Sequence, residues 1–216
     1  MTDHAGPASD RGSKRHLAAS TAASTAASTA DAVRARAASV FDLDARLPAR
    51  VFRQLADEAV FCEFDLLLTP DAWPALAALA TLHGDRQVDL LVVEAGGIVC
   101  PALSLPVEVT PDDYWAEVGF GPDREPLESI TITARTVALT GPSGRWGCWG
   151  ERDPEVAVVR GFPDETARHQ WRTRYGPCAD AAGVLALRLP QVFGARAVPD
   201  AYAAELTANY GATPRA

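Results

Sequence analysis

Several residue types and motifs that carry protein chemistry are scarce or missing in this chain of 216 residues. Lysine occurs once, at Lys14, and every other basic side chain is an arginine. No apolar run approaches the ~18–20 residues of a membrane-spanning helix, which excludes a transmembrane protein. The patterns G-x-G-x-x-G and G-x-x-x-x-G-K-[ST] do not occur, so neither of these phosphate-binding loops is present.

Cysteine and histidine are too few and too dispersed to form a recognisable metal site. The four cysteines, Cys62, Cys100, Cys148 and Cys178, include no C-x-x-C pair and no Cys/His spacing typical of zinc. Three of them lie in apolar, strand-like segments, where a free thiol behaves as a small buried hydrophobic group. Residues 1–39 lack the apolar core of a secretory signal. We therefore expect reduced thiols in a cytoplasmic protein that binds no metal and no cofactor.

The charge balance of the chain is acidic. It carries 28 Asp and Glu against 20 Lys and Arg, a formal net charge of −8. This charge argues against a nucleic-acid partner, because such partners select basic surfaces. The hydrophobic fraction of 48 % is high enough for a packed core. Acidic residues crowd the middle of the chain around Asp112, Asp113 and Glu117, either as a solvated rim or as a surface that fits a basic protein.

The first 39 residues differ in composition from the rest of the chain. The stretch from Ser20 to Ala30 repeats Thr-Ala-Ala-Ser and contains no large apolar side chain. Such a stretch cannot bury enough surface to offset the entropy lost when it is ordered. We predict that residues 1–39 form a disordered tail and that residues 40–216 form a single domain.

Hydrophobic periodicity and turn signals predict an α+β fold with a mostly antiparallel sheet. Predicted strands span residues 61–68, 87–94, 130–140, 145–150, 155–160 and 183–189. Predicted helices follow Leu47-Pro48 and cover residues 71–83, 112–119, 163–175 and 199–210. About five to seven strands and about four main helices are expected, with a three-stranded meander in the C-terminal half.

Two carboxylates on the first predicted strand form the most enzyme-like feature. Glu63 and Asp65 are two residues apart, and a strand places such residues on one face. A close pair of acids can act as general acid and base or hold a divalent metal. Alternatively, both lie on the solvated face of an antiparallel sheet. His83, His169 and Ser143 belong to no catalytic motif, so Glu63 and Asp65 are the only catalytic candidates.

The segment GRWGCWGERDPEVAVV forms the predicted hairpin with the most distinctive composition. It resembles the tryptophan-containing terminal hairpins of small bacterial α+β proteins, a resemblance that implies no function. Strand alternation places Trp146 and Cys148 on one side and Trp149 on the other. Exposed Trp and Arg are enriched at binding hot spots, which favours a binding surface on the side of Trp149. This predicted surface consists of Arg145, Trp149, Glu151 and Arg152. Alternatively, a helix covers this side and Trp149 belongs to the core.

These observations predict a non-catalytic binding or immunity-type interaction module with an acidic surface, whose partner is another, basic protein. The alternative is a small-molecule hydrolase that uses Glu63 and Asp65, with or without a metal. A melting temperature that rises with a specific divalent metal, and no longer does so in Glu63→Gln, would favour the hydrolase.

Overall fold

The structure, a computed structural model, describes residues 27–95, 101–119, 129–194 and 196–211. These residues form a six-stranded antiparallel sheet with helices packed on both of its faces. The predicted α+β class and the mostly antiparallel sheet are therefore confirmed. The helices outnumber the about four that the periodicity predicts, because several are too short to leave a periodic pattern.

The chain begins its described part with helix α1, which covers residues 27–40. The next elements are β1 (Val60–Glu63), α2 (Phe64–Leu67), a 3-10 turn (Pro70–Ala72), α3 (Trp73–Leu82), β2 (Gln87–Ala95), β3 (Ala102–Pro106) and α4 (Pro111–Gly119). The remaining elements are α5 (Ile130–Thr133), β4 (Ala134–Thr140), β5 (Gly147–Glu151), β6 (Val156–Arg160), α6 (Glu165–Tyr175), α7 (Ala181–Gly183), a π-helical segment (Val184–Arg188), α8 (Leu189–Phe193) and α9 (Asp200–Tyr210). Over the described residues, none of these helices combines the length and the apolar composition that a membrane span requires.

The strands are arranged in the order β1-β6-β5-β4-β2-β3, and each neighbouring pair is antiparallel. Strands β4, β5 and β6 are the predicted C-terminal meander. At one edge, β3 ends at Pro106, which has no N–H to offer a further strand. At the other edge, Phe61 of β1 pairs with Ala179, so the segment that follows α6 protects this edge.

Side chains of the strands alternate between two hydrophobic cores, one on each face of the sheet. The first core lies under α2, α3, α4 and α6, and its large members include Trp73, Tyr114, Trp146 and Trp171. The second core lies under α1, residues 41–59 and α7 to α9, and its large members include Phe41, Phe52, Phe61, Trp149 and Tyr210. Because both faces are covered, all five residues of β5 and all five of β6 are buried.

Two predicted elements of the C-terminal and N-terminal regions are wrong. Residues 183–189, predicted as a strand, are helical, because the side chain of Asp180 accepts a hydrogen bond from the N–H of Gly183 at 2.7 Å and starts a helix. A short apolar run does not distinguish a strand from a buried helix. The helix predicted after Leu47-Pro48 is an irregular segment, in which Val51 N–H donates to Tyr210 Oη at 3.0 Å.

The predicted boundary of the disordered tail is also wrong. Residues 27–39 belong to α1, which buries Val33 and Ala37 in the second core. The guanidinium of Arg36 forms a hydrogen-bonded ion pair with Asp89, whose side chain is 1 % exposed. The folded domain therefore includes residues 27–39. The rest of the predicted tail, residues 1–26, lies outside the described residues.

Candidate functional site

Glu63 and Asp65 do not share a face in the structure. Strand β1 ends at Glu63, and the chain then turns into α2, which contains Asp65. Glu63 Oε1 accepts a hydrogen bond from Arg188 Nη1 at 3.0 Å, whereas Asp65 Oδ1 accepts one from Arg152 Nη1 at 3.2 Å. The prediction of one acid pair is wrong, because the strand ends two residues before Asp65. Among the described residues, no group of three or more His, Cys, Asp or Glu could hold a metal ion.

The four residues of the predicted binding surface do not form one surface. Trp149 is 0 % exposed and Glu151 is 4 % exposed. Arg145 is exposed at the other end of β5, beside the end of α3. Arg152 is half-buried against α2 and α5. The exposed position predicted for Trp149 is wrong, because α1 and residues 41–59 cover that face, as the alternative prediction states. The binding roles of Arg145 and Arg152 stay predictions.

The structure brings two of these residues, Trp149 and Glu151, into direct contact. They are two positions apart in β5, so both point to the second core. Glu151 Oε1 accepts hydrogen bonds from Trp149 Nε1 at 2.7 Å and from the N–H of Leu47 at 2.8 Å. Both donors bind this one oxygen, and no described residue donates a hydrogen bond to Oε2. One carboxyl oxygen is therefore held in place, and the other is free to bind a ligand.

A cleft of about 310 Å³ opens beside this carboxyl group. Its lining consists of Arg46, Leu47, Glu94, Arg135, Thr136, Glu151 and Asp153. Two ion pairs flank Glu151: Arg46 Nη2 lies 3.0 Å from Glu94 Oε2, and Arg135 Nη1 lies 3.1 Å from Asp153 Oδ2. Both pairs are solvent-exposed, and such pairs contribute only ~0–1 kcal/mol. A ligand can therefore compete for their members at small cost.

A β-bulge in β2 directs Glu94 to this cleft. Val92 pairs with Val137, and Glu94 pairs with Thr136, so two steps along β2 match one step along β4. In a regular strand Glu94 would share the face of Val92, whereas the bulge moves it to the face of Thr136. Thr136 in turn pairs with Glu151 of β5. Glu94, Thr136 and Glu151 therefore form a row across three neighbouring strands.

Burial raises the pKa of Glu151 above its ordinary value of 4.5. The hydrogen bonds from Trp149 and from the N–H of Leu47 act in the opposite direction, as does the positive charge of Arg46. The nearby Glu94 raises this pKa further. A carboxyl group with a shifted pKa at the wall of a cleft is typical of functional sites.

The raised pKa of Glu151 predicts a specific pH dependence of stability. The folded chain binds a proton at Glu151 more tightly than the unfolded chain, so this group lowers the free energy of unfolding as pH rises from about 4.5 through the folded-state pKa. Glu151→Gln keeps an oxygen for Trp149 and Leu47 but does not titrate. The stability of this variant relative to the original chain is expected to increase over that pH window and to level off above it. Urea unfolding of both chains between pH 4 and pH 8 measures the difference, and a difference that does not change with pH would contradict the prediction.

The sequence pattern identifies Glu151 but not most of the residues around it. Leu47-Pro48 predicts the start of a helix that does not form, and no local motif marks Arg46 or Asp153 as site residues. The signal that could have found the cleft is the charge of Glu94 and Arg135 near the ends of two strands with apolar centres.

Comparison of the chain with protein-family models, with curated proteins and with solved structures gives no match in any of the three. The geometry of the Glu151 cleft is therefore the basis on which a function is inferred.

Proposed function

We propose that this chain is a non-catalytic, immunity-type binding module whose Glu151 cleft receives a cationic side chain of a basic partner protein. The observation that carries the proposal is the Oε2 oxygen of Glu151. It belongs to a buried carboxyl group and accepts no hydrogen bond from the described residues, and Glu151 lines an open cleft. An arginine or lysine of the partner supplies both the donor and the opposite charge that such an oxygen lacks.

The charges of the cleft support a cation as its ligand. Among the described residues that line it, Glu94, Glu151 and Asp153 contribute three carboxylates, against the two guanidinium groups of Arg46 and Arg135. With Glu151 ionised the cleft has an excess of negative charge, and the chain as a whole carries −8. A basic partner is therefore attracted at long range and then bound at a defined point.

Two further observations support a binding role in the cytoplasm. The other carboxylates that the described residues bring to the cleft, Glu94 and Asp153, are each neutralised by an arginine, so none of these residues supplies a second free acid for acid–base catalysis. The hydrolase alternative is not proposed, because Glu63 and Asp65 lie in separate ion pairs.

The thiols present among the described residues are free, as is usual in a reducing compartment such as the cytoplasm.

Short peptides test this proposal. A blocked peptide with one central arginine is titrated into the full chain and followed by amide NMR shifts, with the same peptide carrying neutral citrulline as the comparison. We expect the arginine peptide to shift amides of β5 and of residues 46–47, and its affinity to fall about tenfold or more in Glu151→Gln. The matched control is Glu63→Gln, which removes a half-buried, ion-paired carboxylate outside the cleft.

The pH dependence of binding gives a second readout. A bound cation favours the ionised form of Glu151, so affinity for the arginine peptide is expected to rise as pH increases through the pKa of Glu151. Equal binding of the citrulline peptide, or undiminished binding by Glu151→Gln, would overturn the proposal.

A further inference from the structure

Two thiols face each other at the protected edge of the sheet. Phe61 of β1 and Ala179 exchange both backbone hydrogen bonds, each of 2.8 Å. In an antiparallel pairing, the residues next to such a pair are not hydrogen-bonded to each other, and their Cα atoms lie about 4.5 Å apart. Here those residues are Cys62 and Cys178. Their spacing falls within the range of about 4.4–6.8 Å that a disulfide bridges without movement of the backbone.

The side chains of Cys62 and Cys178 confirm this placement. Both thiols are half-buried and pack against the first core, and each shifts the pKa of the other, as close neighbours do. Cys178 Sγ also donates a weak hydrogen bond to the carbonyl oxygen of Tyr175 at 3.9 Å. Both also line a cavity of about 300 Å³, whose other walls include Leu66, Trp171 and Tyr175. A small molecule can therefore reach the pair from the surface without unfolding the chain.

We propose that Cys62 and Cys178 are a redox-active dithiol, which hydrogen peroxide that enters this cavity oxidises to a reversible disulfide. The sulfur of Cys178, as a thiolate, attacks one peroxide oxygen, the O–O bond breaks, and hydroxide leaves and takes up a proton. The sulfur of Cys62 loses its proton and attacks the sulfenic acid formed at Cys178, whose S–O bond breaks to release the second water. The two thiols lose two electrons, and the peroxide gains them.

The surroundings of each thiol support these two roles. The neighbouring thiol of Cys62 lowers the pKa of Cys178; burial raises it in part, and the guanidinium of Arg172 lowers it again. Arg172 also donates to the carbonyl oxygen of Cys178 at 3.4 Å. In contrast, the neighbouring thiol of Cys178 and burial both raise the pKa of Cys62. Cys178 is therefore the attacking thiol and Cys62 the resolving thiol.

Cys148 belongs to the same core but cannot replace either thiol. It is fully buried in β5, and β6 lies between β5 and β1. Two strand spacings separate β5 from β1 by roughly 9–10 Å, which exceeds the disulfide limit of about 7 Å. Cys148→Ala is therefore a matched control for the Cys62 and Cys178 variants, because it removes a thiol that cannot form this disulfide. The fourth cysteine, Cys100, lies outside the described residues and is removed in a separate variant.

The test uses the full chain, reduced and then treated with a small excess of hydrogen peroxide. We expect the number of titratable thiols per chain to fall from four to two. The mass of the chain should decrease by about 2 Da, because two hydrogen atoms are lost. Peptide mapping should find Cys62 linked to Cys178, and dithiothreitol should restore both thiols. The crosslink should raise the melting temperature by roughly 5–10 °C, because it closes a long loop.

Single substitutions separate this proposal from general thiol oxidation. Cys100→Ala and Cys148→Ala are expected to form the same crosslink as the original chain, whereas Cys178→Ala and Cys62→Ala are expected to form none. If Cys62→Ala does not fold, Cys178→Ala alone decides, since Cys178 lies in the irregular segment after α6 rather than in a strand. A disulfide mapped to any other pair, a Cys178 that goes on to sulfinic acid without a crosslink, or four thiols that survive the peroxide would each overturn the proposal.

Discussion

A chain that begins at Val40 is expected to be less stable than the full chain by at least about 5 kcal/mol, because it lacks most of α1. Residues 27–39 place Val33 and Ala37 in the second core, with exposures of 0 % and 1 %. Burial of a valine side chain alone contributes roughly 1.5–3 kcal/mol. A chain that begins at residue 27 retains these contacts and is the matched control.

The ion pair between Arg36 and Asp89 accounts for much of this expected loss. Asp89 is buried in β2, where Gln87 Nε2 and Ser104 Oγ also donate to it, at 3.0 and 2.7 Å. These neutral donors remain after truncation, but the positive charge is lost. Removal of one partner of a buried ion pair costs about 3–5 kcal/mol, because the other charge stays buried.

Thermal and urea unfolding measure the effect of the truncation in three chains: the full chain, the chain that begins at residue 27 and the chain that begins at Val40. A loss of about 5 kcal/mol corresponds to a decrease in melting temperature of roughly 10–20 °C for a domain of this size. Arg36→Ala in the full chain isolates the electrostatic part, which should be more than half of the total. Equal stability of the chain that begins at Val40 and the control would show that α1 does not pack on the sheet.

The packing of α1 illustrates where the sequence alone is insufficient. The segment that precedes Val40 is rich in alanine, and its apolar positions 33, 37 and 40 form a helical stripe. Such a stripe stabilises a helix only when another surface receives it. That surface is built from β2, β4 and β5 and becomes visible only when strand order is known.

Elements with strong local signals could be predicted from the sequence. Helix α6 has Asp164 as its cap, which accepts a hydrogen bond from the N–H of Ala167 at 2.8 Å, and it has arginines in its last turn. Strand β2 and the meander follow from apolar runs bounded by turns. Short helices such as α2 and α5 carry no periodic signal, and each replaces part of a predicted strand.

The candidate site could be predicted only in part. The predicted hairpin marks Glu151 as a site residue, but one of its two hydrogen-bond donors is distant along the chain. Leu47 lies 104 positions away and donates its N–H to Glu151, and the bulge that redirects Glu94 is a property of the pairing between β2 and β4. Neither a long-range hydrogen bond nor a register shift leaves a local pattern in the sequence.

Trp149→Ala is expected to destabilise the chain by about 3–5 kcal/mol, as much as Trp146→Ala, because both side chains are fully buried. Trp146 lies in the first core and donates from Nε1 to Asp85 Oδ2 at 2.9 Å. Trp149 lies in the second core, where its ring centroid is 5.5 Å from that of Phe41. If Trp149 were an exposed binding residue, its truncation would change stability by only about 0.5 kcal/mol.

Trp149→Phe separates the packing of this side chain from its hydrogen bond. Phenylalanine retains most of the buried apolar surface but cannot donate to Glu151 Oε1, so we expect a smaller loss of about 1–3 kcal/mol. The combination of Trp149→Phe with Glu151→Gln should be less costly than the sum of the single changes, because Trp149→Phe removes and Glu151→Gln weakens the same charge-assisted bond. Urea unfolding of the two alanine variants, Trp149→Phe, Glu151→Gln and the double variant gives the free energies that these comparisons need. A Trp149→Ala variant that unfolds at the same urea concentration as the original chain would contradict the core position of Trp149.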